Sequence, residues 1–540
     1  MNFVKKHYIL SAVLVSFLLF ALWICISFFP FLRFFLHPFA LAGGEKHYLV
    51  LLQNNYELRP TGGFISAFGI LTIKNGVPIS LNLEDVYGTV DDHSYVAPPY
   101  PLGRLLAHST YQGHTFRDAN FDPDFPSSVA ELESFLRKTR PFQTIDGVIA
   151  VDFGFVENWL DAVGSIEVDG RAFTAETLLE FIEAEVADVD LHSLEDLPRR
   201  KEGVRQLGKK LAIKTALPWN LPRFFSSVHK SFREKHALFF FHDDDLQQIV
   251  EKKGWGGVLQ ARDGEDLLAV VDANYGGGKA NRYVTRSIFY DVDLEKGRAA
   301  LDIRYDHTND ITVPLSLNYR GYVRAFVPQD HIFGGNIVRG ANNNLNYAGQ
   351  IFEVPAQGKR SISFPIQFPL SLFDDLSYSL YLWKQPGTYN DYYSISVKIP
   401  VGLRLTSDDF EVRDNVAIFK GFLTEDRRIS FRIDGDNLPP RAIRQTVTAL
   451  NVLELEFNEG IDPASLRPDK WTVNDTDFAV SERHDLLRIR DVRLEGNTVK
   501  IFTIGMSRQP EERYLLEIDG IFDRRGNPLG RRTYSFFQRL

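Results

Sequence analysis

Apolar positions in the first half of the chain recur with two different periods. Residues 48–52, 64–73 and 77–83 are rich in β-branched and aromatic side chains and read as strands, with Lys74-Asn75-Gly76 a hairpin turn between the last two. Helical spacing takes over at 127–137, where Val129, Leu132, Phe135 and Leu136 share a face. It returns after residue 153, where Phe155, Val156, Trp159, Leu160 and Val163 do so until Gly164 stops the run. Residues 174–187 and 199–216 read as further helices. Alternation of the two periods predicts an α/β layer structure over residues 46–280.

Beyond Asn281 the pattern becomes purely two-residue. Residues 283–292, 298–307, 319–327, 360–368 and 378–383 alternate apolar and polar positions without intervening helices, which predicts an antiparallel β-sandwich over 281–438. Pro439-Pro440 marks the next boundary, and 439–540 is expected to form a compact unit of its own. Several units suit a length of 540 residues, more than one hydrophobic core usually supports.

Toward the N-terminus, residues 8–32 carry no charge and are long enough to cross roughly 30 Å of hydrocarbon. Lys5, Lys6 and His7 precede that run. The positive-inside bias then predicts a cytoplasmic tail at 1–7, a transmembrane helix at 8–32, a linker at 33–45 and an extracytoplasmic remainder. Ala40-Leu41-Ala42 has the form of a signal-peptidase site, but Arg33 and His37 stand before it, and the apolar run exceeds the usual signal core of about 7–15 residues. Cys25 is the only cysteine, which excludes an intrachain disulfide. A net charge of −9 argues against nucleic acid as a partner, because phosphate backbones are bound by basic surface.

Candidate chemistry is concentrated in a few polar segments. Gln53 to Gly63, Q-N-N-Y-E-L-R-P-T-G-G, joins amide groups, the permanent charge of Arg59 and a turn, and reads as a loop presenting polar groups to a ligand. Arg117-Asp118-Ala119-Asn120-Phe121-Asp122-Pro123-Asp124 sets three carboxylates close together. Asp118, Asp122 and Asp124 are candidate ligands for Mg²⁺ or another hard cation, or else acceptors for backbone N–H groups at a helix start. Lys201, Arg205 and Lys209 share a helix face, either a solvated surface or a phosphate-facing stripe. Asp272-Ala273-Asn274 begins another polar loop. The catalytic signatures G-x-S-x-G, H-E-x-x-H and C-x-x-C are absent, and Gly276-Gly277-Gly278-Lys279-Ala280 lacks the leading Gly and the hydroxyl of a phosphate loop.

Q-N-N-Y-E-L-R-P-T-G-G-F, R-D-A-N-F-D-P-D-F-P, V-D-A-N-Y-G-G-G-K-A-N-R-Y-V, Y-R-G-Y-V-R-A-F-V-P and K-Q-P-G-T together resemble the hallmark segments of the bacterial family of domain of unknown function 4012, over about residues 45–400. That resemblance implies a membrane-anchored envelope protein and no established activity. The segment I-D-G-V-I-A-V-D-F-G-F-V-E-N-W-L-D-A-V-G-S-I-E-V-D, beginning at Ile145, is similar to part of the LytR-CpsA-Psr family, whose α/β domain transfers glycopolymers from a polyprenyl-pyrophosphate carrier. Residues 199–214 resemble that family's arginine-rich helix, which implies pyrophosphate contact by Arg199, Arg205 and Lys209. The family's R-x-D motif falls on Phe64 and Ser66, and its P-R-D segment on Leu83-Glu84-Asp85. Charges that would stabilise phosphoryl transfer are therefore missing apart from Asp85, unless Arg59 replaces them from the adjacent loop. Residues 453–466 and 521–529 resemble bacterial Ig-like domains of the S-layer type, which implies a spacer or adhesive module.

The expected fold class is multidomain: an N-terminal transmembrane helix, a LytR-CpsA-Psr-like α/β domain, an antiparallel β-sandwich and a C-terminal Ig-like β-sandwich. The expected function is that of a membrane-anchored extracytoplasmic envelope protein binding a phosphorylated or lipid-linked glycopolymer, or a cell-wall glycan. Its candidate contacts are Arg59, Asp85, Arg117, Asp118, Asn120, Arg199, Arg205 and Lys209, with Mg²⁺ as the cation if one is held. The rival readings are a Mg²⁺-dependent glycopolymer phosphotransferase using the same loops and a non-catalytic surface scaffold or adhesin. One cleft uniting Arg59, the Asp118 loop and the basic helix favours binding or catalysis; scattered positions favour the scaffold.

Overall fold

The computed structural model describes residues 44–540 apart from 76, 87–89, 91–95, 106–112, 169, 179–201, 263, 277, 310–317, 336–337, 370–376, 401–402, 414, 435–438, 476–485, 507–512 and 538–540. Everything that follows concerns the described residues.

The first unit is organised on β1 (Glu45–Asn54). It pairs antiparallel with β2 (Phe64–Lys74), which carries β3 (Val77–Asp85) on its far edge, and parallel with β4 (Gly147–Asp152). A separate hairpin, β5 (Ile166–Val168) and β6 (Arg171–Phe173), intervenes before β7 (Ala237–Phe241) closes the sheet antiparallel to β4. Successive side chains of a strand point to opposite faces. Leu49, Leu51, Val148 and Ala150 accordingly meet α1 (Phe125–Thr139) through Val129, Leu132 and Phe135. On the other face, Tyr48, Phe239 and Phe241 pack with α2 (Phe153–Val163). Helix α3 (Glu202–Thr215) docks on α2 and β5 through Leu207 and Leu211, while α4 (Leu221–Arg233) and α5 (Asp244–Lys253) complete the layer around Tyr48 with Phe232 and Val250.

Helix starts are set by carboxylates that accept otherwise orphaned N–H groups. Asp124 accepts from Ser127 N (3.2 Å), Asp152 from Phe155 N (3.2 Å) and Asp243 from Leu246 N (3.1 Å), each cap worth about 1 kcal/mol. Gly164, at φ +82°, terminates α2.

β8 (Asp266–Asn274) leaves this unit and becomes a central strand of the next. The sandwich consists of two seven-stranded sheets, one containing β9 (Val284–Asp293) and β10 (Arg298–His307), the other containing β8 between β11 (Tyr319–Pro328) and the parallel strand Ser377–Trp383. All of β8 is buried. Its Leu268 and Val270 meet Ile288 and Ile303 in the sandwich core, and its Leu267, Ala269 and Val271 meet Phe326 and Trp383 on the opposite side. A third, seven-stranded sheet between Ala442 and Phe537 encloses Leu453, Trp471, Ile501 and Phe536.

The expected fold class needs correction. The described chain is mostly β-sheet with few helices, and no described helix is long and apolar enough to cross a membrane. The expected transmembrane segment 8–32 lies outside the described residues. β8 shows why the α/β share was overstated: L-L-A-V-V suits an inner strand of either architecture, and its partners, β11 and Ser377–Trp383, come from far downstream.

His331 is fully buried beside the start of β8, with Nε2 3.3 Å from Asp266 Oδ1 and Nδ1 2.7 Å from Asp330 Oδ1. Burial alone would lower its pKa, but Asp266 and Asp330 outweigh it and raise the value to about 9 from 6.5. The folded state therefore holds the extra proton between those values. The stabilisation is complete below pH 6.5 and is lost as pH rises through 9, about 3 kcal/mol in all. Denaturant unfolding across this window should show that loss in the wild type and not in His331→Gln. Parallel pH profiles for the two proteins would remove the charged arrangement.

Candidate functional site

The segment expected to face a ligand as a polar loop is instead buried, with Gln53, Asn55, Arg59 and Thr61 each no more than 3% exposed. It joins β1 to β2 and is covered by the sandwich. Asn55 Nδ2 donates to Gly387 O (3.0 Å), and the Gln385 amide donates to Arg59 O (3.3 Å) and Asp272 O (2.7 Å). In return, Gln385 Oε1 accepts from Asp272 N (2.8 Å), while Asn274 N donates to Leu58 O (2.8 Å) and Leu58 N to Asn281 Oδ1 (3.0 Å). Buried polar groups are costly unless paired, and here Q-N-N-Y-E-L-R-P-T-G-G, V-D-A-N and K-Q-P-G-T pair one another. Gly387, at φ +79°, approaches Gly62 so closely that a Cβ would drive into the Gly62 carbonyl oxygen. The neighbouring Lys384 ammonium is also internal, donating to Glu234 O (2.7 Å) and Thr388 O (2.6 Å), and burial lowers its pKa to about 8.

Arg59 lies 4.0 Å above the Tyr275 ring and 5.5 Å from the Phe64 ring, beside the strand position where the LytR-CpsA-Psr resemblance would put a phosphate-binding charge. Its own charge is already neutralised, by Glu57 at 3.2 Å and Asp118 at 3.5 Å. Burial opposes the Arg59 cation, but Glu57, Tyr275 and Asp118 prevail and hold its pKa above the ordinary value, while burial raises that of Glu57. Arg117 Nε stands 3.6 Å from Asp118 Oδ2, and Asn120 Nδ2 donates to Gly63 O (2.9 Å). Asp85 is buried at the end of β3, in register with Ala67. A phosphate arriving at Arg59 would meet two carboxylates first.

The carboxylates considered for Mg²⁺ are engaged separately. Asp122 accepts from Asp124 N (2.9 Å) and from Asn342 Nδ2 (3.0 and 3.1 Å), and Asp124 accepts from Ser127 and from Leu259 N (3.0 Å). No group of three His, Cys, Asp or Glu side chains among the described residues is arranged to share a cation. Arg199 lies outside the described residues, and Arg205 belongs to α3 with its side chain outside them. Lys209 is exposed on α3, whose Lys210 and Lys214 donate to Glu167 O (2.6 Å) and Ser165 O (2.6 Å). That helix packs on α2, across the sheet from the Phe116–Asp118 turn, so the basic helix and Arg59 do not form one cleft.

A cleft of about 220 Å³ opens beside the buried segment instead. Its floor is Asp272, which accepts from Tyr305 OH (2.8 Å) and Tyr319 OH (2.9 Å) and pairs with Arg286 (3.1 Å), itself paired with Asp391. Burial raises the Asp272 pKa against the pull of Arg286 and the two tyrosines. The rim carries Tyr56 and Tyr389, stacked at 6.5 Å, whose hydroxyls both donate to Glu157 (2.6 and 2.8 Å), with Arg282 5.8 Å from the Tyr56 ring. Arg286, Asp391 and Tyr389 carried no motif, and Glu157, inside the segment that begins at Ile145, had nothing to single it out. Asp272 and K-Q-P-G-T were singled out, without any sign that they meet.

Residues 43–186 match the family model DUF4012, described as a protein of unknown function. This supports DUF4012 over the segment that holds Arg59, Asp118 and α1; the segments that cover it, at 272–281 and 384–388, lie beyond the match. No curated protein matches. Structural neighbours include the N-terminal part of the bacterial S-layer protein SbsC, at 15% identity over 19% of this chain and 24% of that one, with a TM-score of 0.17. The chain thus spans about a quarter of that S-layer structure's length. Others are protein gbs0355 from Streptococcus agalactiae (11% identity, 39% of this chain, 73% of that one, TM-score 0.26) and the transcriptional regulator yvhJ from Bacillus subtilis (13%, 39%, 96%, 0.19). A LytR-CpsA-Psr relationship is not shown by these comparisons.

Because the Gly62–Gly387 approach leaves no room for a side chain, Gly387→Ala is expected to destabilise the protein by about 2–4 kcal/mol. Gly208→Ala, in α3 with open space around it, should instead stabilise by up to about 1 kcal/mol. Denaturant midpoints of the two variants measure both, and equal midpoints would show that the close approach is absent in solution.

Proposed function

We propose that this chain is a non-catalytic surface or cell-envelope scaffold that holds a neutral saccharide in the Tyr56–Tyr389 cleft. The observation carrying this reading is that the hallmark segments are consumed in joining the DUF4012 segment to the sandwich, leaving the adjoining cleft as an accessible polar concavity. At about 220 Å³ the cleft is smaller than the roughly 300–1,000 Å³ of drug-sized pockets, which suits a single sugar ring better than a polymer. Tyr56 and Tyr389, fixed by one carboxylate, give the cleft apolar ring edges, and the neighbouring exposed amide of Asn390 supplies hydrogen bonds.

The two buried cations beside the cleft are not available to a phosphorylated ligand. Arg286 is shared between Asp272 and Asp391, and Arg59 between Glu57 and Asp118, so neither cation is free to take a phosphate. The phosphotransferase alternative suffers from the same neutralisation, since phosphoryl transfer relies on positive charge aimed at the developing anion.

Calorimetric titration of the full chain with neutral monosaccharides, their phosphate esters and undecaprenyl pyrophosphate tests the reading. A neutral sugar should bind, and Tyr389→Ala should weaken it about tenfold, the scale of one lost stacking contact. Tighter binding of the phosphorylated ligands, or no saturable sugar binding, would overturn the saccharide assignment.

A further inference from the structure

One wall of the Tyr56–Tyr389 cleft is the end of a sheet whose outer face stands in water. β9 and the strand Asp391–Lys398 run parallel there, with Tyr392 opposite Ser287, and the strand Val416–Leu423 lies beyond, with Phe422 opposite Tyr392. Side chains alternate between the two faces. Ile288, Tyr290, Ile395 and Val397 therefore fill the sandwich core, while Thr285, Ser287, Phe289, Tyr392 and Phe422 point outward. Thr285 and Asn390 belong to both places, since they line the cleft and stand two residues ahead of Ser287 and Tyr392.

Aromatic rings cross this outer face from strand to strand. Phe289 meets Tyr392 at 6.4 Å and Tyr392 meets Phe422 at 5.7 Å, both edge to face, so no ring lies flat beneath another. Arg304 sits 4.2 Å over Phe289, and Phe422 is 63% exposed. Around the rings the side chains are mostly small hydroxyls, among them Thr285, Ser287, Ser394 and Ser396. Charges of both signs are interspersed. Lys359 pairs with Asp306 at 2.6 Å, and Arg304 and Lys420 stand with Asp291 and Asp302, whose carboxylates accept from Ser396 and Ser363. An anionic lipid or a polyanion would call for a field of one sign, and the core of a protein interface is depleted of charge. A neutral sugar chain instead needs ring surface for its C–H faces, and hydroxyls, amides or carboxylates for its own hydroxyls.

We propose that the sugar in the cleft is one unit of a neutral glycan chain whose next units leave past Thr285 and Asn390 and lie over Tyr392 and Phe422, an assignment that rests on the saccharide reading of the cleft. Tyr392 follows Tyr389 by three residues, roughly 10 Å of extended chain, and Phe422 lies one strand further across, at roughly 5 Å. That path is longer than one sugar ring. The small volume of the cleft is then compatible with a polymeric ligand, because the cleft takes a single ring and the open face takes its neighbours.

Calorimetric titration of the full chain with glucose, mannose and N-acetylglucosamine, and with the linear homohexasaccharide of each, tests the path separately from the cleft. A hexasaccharide should bind about tenfold or more tighter than its monosaccharide, and Phe422→Ala should remove about tenfold of hexasaccharide affinity while leaving monosaccharide affinity unchanged. Phe422 is exposed, so the denaturant midpoint of that variant should match the wild type. Phe422→Trp, which keeps a ring in place, should preserve the gain, and Tyr389→Ala should weaken both ligands. Monosaccharide binding without a hexasaccharide gain, or a gain untouched by Phe422→Ala, overturns the path and leaves the cleft assignment standing. Hexasaccharide binding that responds to Phe422→Ala and not to Tyr389→Ala shows separate sites and overturns the joined path, whereas no sugar binding at all removes both. A uronate hexasaccharide bound tighter than the neutral ones overturns the neutral assignment. A sedimentation coefficient changed by Phe422→Ala in the absence of sugar would show a protein contact at this face and overturn the proposal as well.

Discussion

Of the described polar links that hold the two largest units together, the side-chain amide of Gln385 makes the most bonds. It accepts from Asp272 N and from Arg286, and donates to the carbonyls of Asp272 and Arg59. An amide offers two donors and one acceptor oxygen, and all are engaged at a place where water does not reach. Remove that group and the end of β8, the turn at Arg59 and the guanidinium of Arg286 each lose a partner in the interior, where an unsatisfied polar atom is expensive.

Much of the polar chemistry that attracts attention in the sequence is thus internal architecture. Arg59, Glu57 and Asp118 form a neutralised group, Asp122 and Asp124 serve backbone and amide donors, and Lys384 bonds to carbonyl oxygens. Charges arranged this way fix the relation between two bodies more than they stabilise either one, since their desolvation offsets most of their attraction. A cleft is left at the margin, where Tyr56 and Tyr389 meet the tyrosine-lined floor.

Local signals were legible and distant ones were not. Gly164 ends α2 because the stop depends on that residue's own backbone freedom, and the spacing of Val129, Leu132, Phe135 and Leu136 exposes the buried face of α1. The same local reading made Gln53 to Gly63 an exposed loop, since amides, a charge and paired glycines ordinarily face water. Their partners are Asp272, Asn281, Gln385 and Gly387, and nothing in a single sequence announces a contact across 332 residues. β8 was equally illegible, because a strand buried on both faces has no period to betray which sheet owns it.

The position of β8 bears on the order in which the chain can acquire its structure. Gln53 to Gly63 emerges early from the ribosome, yet the residues that cover it are completed only when Gly387 has been made. Until then the first sheet must wait with polar backbone unpaired and Arg59 uncovered, a high-contact-order arrangement that delays closure and lengthens exposure to misassociation. Maturation of the N-terminal unit is in this sense timed by the synthesis of the sandwich, and neither can be finished without the other.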